Sequence, residues 1–203
     1  MICRTPPRGF STSPFRRARS NPNAPYRPLP THQPPSTLLP VPPLQPPDSM
    51  HLEAAQGWME LGNHEEANEE LELIDAPLRS HPDVLEVRWG IYAKVTNWEA
   101  CLDIGKAMVK LDPRRFTGWI NRSFALHELK RTQEACDQLH EGLYRFRDES
   151  LIWYNLACYA CVLGDRARTR KMLGKAIELG GDEVKLRALD DPDLQGAWVS
   201  GGN

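Results

Sequence analysis

Two cysteines separated by two residues, Cys158 and Cys161, form the pattern in the sequence that most directly suggests chemistry. Residues three apart on a helix present their side chains to one side, and His127 lies 34 residues before Cys161. Thiolate and imidazole groups bind zinc, and a Cys-x-x-Cys pair can also exchange disulfides. A closed zinc site needs a fourth ligand, however, and redox pairs stand at the start of a helix beside a strand. The pattern therefore leaves two interpretations open: a metal or redox site, or reduced cysteines that line a surface.

The rest of the sequence contains no motif for catalysis. A Gly-rich phosphate loop, a Gly-x-Ser-x-Gly elbow and a His-Glu-x-x-His motif are all missing. Asp190, Asp191 and Asp193 stand close together, but the glycine and the terminal glutamate of an EF-hand calcium loop are absent. We therefore predict that the protein is not an enzyme and that it has no cofactor.

A period of 34 residues organises the sequence after residue 48. An aliphatic row, a turn row and a row of small side chains recur at this spacing. The rows are Leu61, Val95, Leu129 and Leu163; Gly62, Thr96, Lys130 and Gly164; and Ala67, Cys101, Ala135 and Thr169. Self-similarity at such a period indicates a protein built from stacked units.

Each unit is predicted to contain two helices. In the last unit one helix face has the i, i+3, i+4, i+7 spacing and consists of Trp153, Leu156, Ala157, Ala160 and Leu163. Gly164-Asp165 ends this helix, and a second helix runs from about Arg166 to Leu179. Small residues recur because the two helices of a hairpin approach closely only where one side chain is small.

The segments WINRSFALHELKRTQEA (119–135) and WYNLACYACVLGD (153–165) resemble the tetratricopeptide repeat (TPR). They share its tryptophan, the small residue four positions later, the turn, and the small residue that starts the second helix. Trp89, Gly105 and Thr169 depart from this pattern. The resemblance implies an all-α fold, a right-handed α-solenoid of about four helix-turn-helix repeats with a capping helix.

The resemblance covers about residues 49–181. Four repeats are predicted at about 49–81, 82–115, 116–149 and 150–181. Residues 182–203 resemble the C-terminal cap of bacterial arrays, which covers the apolar side of the last repeat. We prefer a cap to a calcium site for this segment.

Residues 1–48 are predicted to be a disordered tail. Residues 1–47 contain 14 of the 18 prolines, six arginines and no acidic residue, so their formal charge is +6 against −8 for the remainder. Prolines prevent the amphipathic helix of a transit peptide. An arm that binds nucleic acid or a partner stays possible, but we favour translated upstream sequence with Met50 as the natural start, because the patterned sequence begins there.

The first helix of each unit is expected to line the concave side of the curved stack. The stripe next to the packed stripe, turned by about 100° per residue, then faces the groove. The predicted groove residues are Gln56, Met59, Lys94, Ile120, Asn121, Phe124, His127, Tyr154, Asn155, Cys158 and Cys161. Asn121 and Asn155 are in register, and a side-chain amide can both donate to and accept from a peptide backbone. The resemblance implies that these asparagines contact a bound peptide.

We therefore predict a non-catalytic adaptor that binds a peptide or helix of a partner protein in this groove. The alternative is a small metal-binding or redox-sensing regulator that uses Cys158, Cys161 and His127. The acidic balance of the folded part disfavours nucleic acid as a partner. Five cysteines, an odd number, and the absence of an apolar run of roughly 18 residues predict a cytoplasmic protein without a membrane partner.

Overall fold

Helices alternate with short turns along the chain. The structure is a computed structural model, and it describes residues 41–198, with residues 1–40 and 199–203 outside the description. Within this range the main helices pair into four hairpins: α1 (Asp48–Glu60) with α2 (His64–Leu73), α3 (Pro82–Lys94) with α4 (Trp98–Leu111), α5 (Phe116–Glu128) with α6 (Thr132–Leu143), and α7 (Ser150–Val162) with α8 (Arg166–Asp190). Short 3-10 turns lie at Ala76–Ser80 and Pro192–Leu194, and the last helix, α9, spans Gln195–Trp198. No strand occurs within residues 41–198, so the prediction of an all-α solenoid of four units is confirmed.

The turn between the two helices of each unit repeats one backbone conformation. Gly62, Thr96, Lys130 and Gly164, the turn row of the sequence, have φ angles of 81°, 56°, 65° and 83°. This left-handed region suits glycine but costs other residues about 1–2 kcal/mol, so Thr96 and Lys130 are strained. In three units the second helix is then capped, because the side chains of Asn63, Asn97 and Asp165 accept hydrogen bonds from backbone N–H groups three residues later.

The row of small side chains lies at the centre of the hairpins. Ala67, Cys101, Ala135 and Thr169 are all buried, and none is more than 1% exposed. A larger side chain at any of these positions would force the two helices apart. The small-residue row predicted from the sequence is confirmed as a packing row.

Two tryptophans at equivalent positions tie the first helices of the third and fourth units to the loops before them. Trp119 Nε1 donates to the carbonyl oxygen of Pro113 over 3.1 Å, and Trp153 Nε1 donates to that of Arg147 over 2.7 Å. A Cβ atom on Gly142 of α6 would lie 3.1 Å from the Trp119 ring. The indole therefore packs directly on the backbone of the second helix.

The second unit exchanges large and small residues at two packing positions. Trp89 of α3 stands where a small residue is expected, yet it is only 2% exposed and meets the Phe124 ring edge-to-face. Gly105 of α4 stands where a bulky residue is expected, and a Cβ atom there would lie 2.7 Å from the backbone N and Cα of Arg122 in α5. The large side chain fills space between units, and the glycine lets α4 contact the backbone of α5.

The described structure begins before Met50. Helix α1 starts at Asp48, whose Oδ1 accepts a hydrogen bond from the backbone N–H of Asp75 over 2.7 Å. Leu44 packs on the core of the first unit, and His81 Nε2 lies 2.9 Å from the carbonyl oxygen of Pro42. Most of the predicted disordered tail, residues 1–40, lies outside the described residues, and the choice of Met50 as the natural start stays a prediction.

The stack ends in a capping helix. Helix α8 contains a break at Gly181, where φ is 62° and ψ is −151°, and its last part buries Val184 and Ala188 against the fourth unit. These two apolar contacts confirm the predicted cap. Within residues 41–198 no helix combines the length and the apolar character needed to cross a membrane.

Candidate partner-binding groove

The first helices of successive units form the inner layer of the stack. α1 contacts α3, α3 contacts α5 and α5 contacts α7, whereas the second helices of successive units make no comparable contact within residues 41–198. In a curved stack the elements that pack directly on one another lie on the shorter, inner side. The inner layer therefore consists of α1, α3, α5 and α7, the helices that carry the predicted groove residues; that this layer forms a concave binding groove stays a prediction.

The groove is open at the first two units. Gln56 of α1 and Lys94 of α3 are exposed, and Met59 is half-buried. A Cβ atom on Gly90 would lie 3.5 Å from Met59 Cε, so the methionine reaches across to the backbone of the second unit. Glu86, one turn before Gly90, is also exposed. In this half exposed charges of both signs, on Lys94 and Glu86, therefore stand on the helix that Met59 contacts.

The groove is covered at the third and fourth units. The predicted groove residues of this half are buried except for Cys161, which is half-buried. Those buried are Ile120, Asn121, Phe124, His127, Tyr154, Asn155 and Cys158, none more than 8% exposed. The Phe124 ring is enclosed by edge-to-face contacts with Trp89 and Trp98, at centroid distances of 6.1 and 5.7 Å.

The cover over His127, Tyr154 and the cysteines is the end of the chain itself, residues 191–198, which we call the C-terminal strap. Tyr154 Oη donates to Asp191 Oδ2 over 2.6 Å, and His127 Nε2 lies 3.1 Å from Asp193 Oδ2. Leu194 is fully buried in the core that includes α5 and α7. The strap therefore contacts the groove side of two units through polar bonds and one apolar anchor.

The two asparagines predicted to contact a bound peptide, Asn121 and Asn155, make contacts within the protein. Asn155 Nδ2 donates to the carbonyl oxygen of Leu151 in its own helix over 2.7 Å. Asn121 Nδ2 lies 3.8 Å from Met108 Sδ, a weak contact with α4. Both residues are buried, at 3% and 7% exposure for Asn121 and Asn155 respectively. Their contact with a bound peptide stays a prediction.

Several solved structures share this architecture. TTC0263, a thermophilic TPR protein of Thermus thermophilus, superposes with a TM-score of 0.61 at 17% identity over 70% of this chain and 79% of its own. The fold is that of the tetratricopeptide repeat. YrrB, described as a TPR protein with an unusual peptide-binding site, gives a TM-score of 0.57 at 18% identity over 70% of this chain and 74% of its own. MamA gives 0.58 at 13% identity, with coverages of 68% and 81%. No protein-family model matches the sequence, and no curated protein is significantly similar to it.

The metal or redox interpretation of this TPR-type chain finds no support in the geometry. Within residues 41–198 no group of three or more His, Cys, Asp and Glu side chains is arranged to hold a metal ion. His127 is turned toward Thr132 and Asp193, with its Nδ1 3.0 Å from Thr132 Oγ1. Burial raises the pKa of the Cys161 thiol, which disfavours the thiolate that binds metals and attacks disulfides.

Sequence reasoning missed the residues of the strap. Asp191, Asp193 and Leu194 fall within the cap predicted for residues 182–203, and their acidic run lacks the spacing of an EF-hand calcium loop. The available signal was the Asp-Pro pair at 191–192, which stops a helix and lets the chain turn back. That signal predicts where α8 ends but not which surface the chain then meets.

Proposed function

We propose that this protein is a non-catalytic module that holds a peptide or helix of a partner protein against the concave face of its TPR-type solenoid. The similarity to solved TPR proteins supports the scaffold, and it supports binding through stacked helices rather than through a catalytic pocket.

The observation that carries the proposal is the open half of the groove. Gln56 and Lys94 stand on first helices of adjacent units, are exposed, and are not used in packing. Met59 Cε lies 3.5 Å from the position of a Cβ atom on Gly90, and we take these two residues as the apolar floor of the open half. An apolar strip with polar groups at its edges suits one face of a helix or an extended peptide. Asn121 and Asn155 of the third and fourth units are buried. We therefore assign partner contact to the first two units, through Gln56, Met59 and Lys94.

A photocrosslinking amino acid placed at single positions of the full-length chain tests this assignment. Crosslinks to one partner protein are expected from Gln56 and from Lys94. Lys171, an exposed residue on the second helix of the fourth unit, is the matched control and should give none. Equal crosslinking from Lys171, or crosslinks from Lys171 alone, would place the binding surface outside the groove. Met59→Glu should weaken capture of the same partner, because it puts a charge on the apolar floor.

A further inference from the structure

The C-terminal strap does more than a cap needs to do. Capping requires that the apolar side of the last unit be covered, and Val184 and Ala188 of α8 already provide that cover. The chain then turns back at Asp191 and bonds with His127 of α5 and with Tyr154 of α7. These contacts are made through specific side chains of two different units.

The strap occupies positions that the repeat places in the groove. Cys161 stands 34 residues after His127 and therefore has the same place in its unit, and the strap meets both. A Cβ atom on Gly196 would lie 3.3 Å from Cys161 Sγ, and the backbone N–H groups of Gly196 and Ala197 lie against that sulfur. The strap thus lies across two adjacent first helices, α5 and α7.

The strap contacts α5 and α7 through two carboxylates and one leucine. The Asp191 carboxylate accepts hydrogen bonds from Tyr154 Oη at 2.6 Å and from Cys158 Sγ at 3.8 Å. The Asp193 carboxylate lies 3.1 Å from His127 Nε2. Leu194, three residues after the first aspartate, is fully buried. The two carboxylates and the leucine, in the order Asp-x-Asp-Leu, therefore each contact a different position on α5 and α7 or in the core.

A turn at the centre of the strap sets this spacing. Asp191 Oδ1 accepts from the backbone N–H of Asp193 over 2.9 Å, and the backbone N–H of Leu194 donates to the carbonyl oxygen of Asp191 over 3.1 Å. Pro192 occupies the first position of this 3-10 turn, where its fixed φ favours the bound shape before binding. The same four residues in another chain would carry the same preorganised turn.

We propose that the strap is an internal ligand: it reversibly occupies the groove of the third and fourth units, and an acidic Asp-x-Asp-Leu peptide of a partner binds there by displacing it. This inference rests on the proposed function, since it names the peptide that one half of the groove accepts. A tethered ligand competes at an effective concentration of about millimolar, so a free peptide should bind the wild-type chain weakly. Loss of the strap contacts should raise the affinity for the peptide at least about tenfold.

The test uses a fluorescent peptide with the sequence of residues 189–198 and three full-length chains. Wild type, Asp191→Ala/Leu194→Ala and the control Gln195→Ala are titrated by fluorescence anisotropy, Gln195 being exposed within the strap. The double variant should bind the peptide at least tenfold more tightly than wild type, and Gln195→Ala should match wild type. Asp193→Asn, which removes the carboxylate charge beside His127 Nε2 and keeps the size of the side chain, replaces the double variant if circular dichroism shows that the latter has lost its helices.

Alkylation of Cys161 shows where the peptide binds. In the strap variant Cys161 should react faster with iodoacetamide than in wild type, and added peptide should slow it again. A peptide in which the residues that correspond to Asp191 and Asp193 are changed to asparagine, with Asp190 kept, should not protect. The inference is overturned if the strap variant binds no more tightly than wild type, or if the asparagine peptide binds equally well. Crosslinks from Gln56 and Lys94 to a partner would survive that result, so the proposed function fails only by its own test.

Discussion

The contact between α4 and α5 at Gly105 leads to a prediction with a definite sign and size. In Gly105→Ala the added methyl group would lie 2.7 Å from the backbone N and Cα of Arg122, and backbone atoms can move away only if the two helices separate. Overfilling a packed site costs about 1–3 kcal/mol. Alanine favours a helix over glycine by roughly 0.5–1 kcal/mol, which offsets part of this loss. We expect Gly105→Ala to lower the free energy of unfolding by about 1–2 kcal/mol.

Gly174→Ala is the matched control, because Gly174 is an exposed glycine inside α8 with no atom within 4 Å of a Cβ placed there. It should gain the helix preference without a clash, so the two variants should differ by about 2–3 kcal/mol. That difference corresponds to roughly 4–12 °C in melting temperature for a chain of this size. Urea unfolding followed by far-ultraviolet circular dichroism measures both midpoints and slopes. If Gly105→Ala is as stable as Gly174→Ala at an unchanged slope, the close approach of α4 to α5 is wrong.

Three further predictions concern the turns, one carboxylate and one thiol. Thr96 and Gly164 both have positive φ, which glycine adopts more easily than other residues. In urea unfolding, Thr96→Gly should therefore raise the free energy of unfolding by up to about 1 kcal/mol, and Gly164→Ala should lower it by a similar amount. A change in the same direction for both variants would contradict this. Burial alone would raise the pKa of Asp112, but hydrogen bonds and charge from Arg114 outweigh it and the net pKa is lowered. Folding therefore favours the carboxylate, so its contribution to stability is present at neutral pH and is lost as the pH falls. Asp112→Asn should reduce the loss of unfolding free energy between about pH 5 and pH 2. If the variant loses as much unfolding free energy as wild type over this range, the prediction is wrong. Burial raises the pKa of Cys101 to about 12, so iodoacetamide should leave Cys101 unmodified in the native protein and modify it in urea, as peptide mass spectrometry would show.

The repeat could be predicted from the sequence because packing and turn geometry act at fixed positions. Ala67 and Ala135 are small because the two helices of each unit approach closely at this position. Gly62 and Gly164 supply the positive φ of the turn. The exchange at Trp89 and Gly105 could be seen as a departure, but its meaning depends on which helix lies opposite.

The state of the groove could not be predicted in the same way. The spacing of 34 predicts that Tyr154 and Cys158 are groove residues, but it carries no information about a segment that folds back over them. The contact between His127 and Asp193 joins residues 66 positions apart, and no local pattern marks either member. Gln56 and Lys94 are exposed in the structure, as expected for groove residues, and their contact with a partner stays a prediction.

The division of the core suggests how the two halves of the groove could respond differently to a ligand. The first unit has its own apolar cluster, which reaches into α3 through Val84 and Ile91, whereas Trp89 of the same helix belongs to the cluster that continues to Leu194 in the strap. In stacked repeats stability is close to a sum of unit and neighbour terms. A ligand at Gln56 and Lys94 would therefore stabilise the smaller cluster across α1 and α3. A ligand at His127 and Tyr154 must instead replace contacts that the strap already makes. Its apparent binding free energy is therefore the difference between its own contacts and those of the strap.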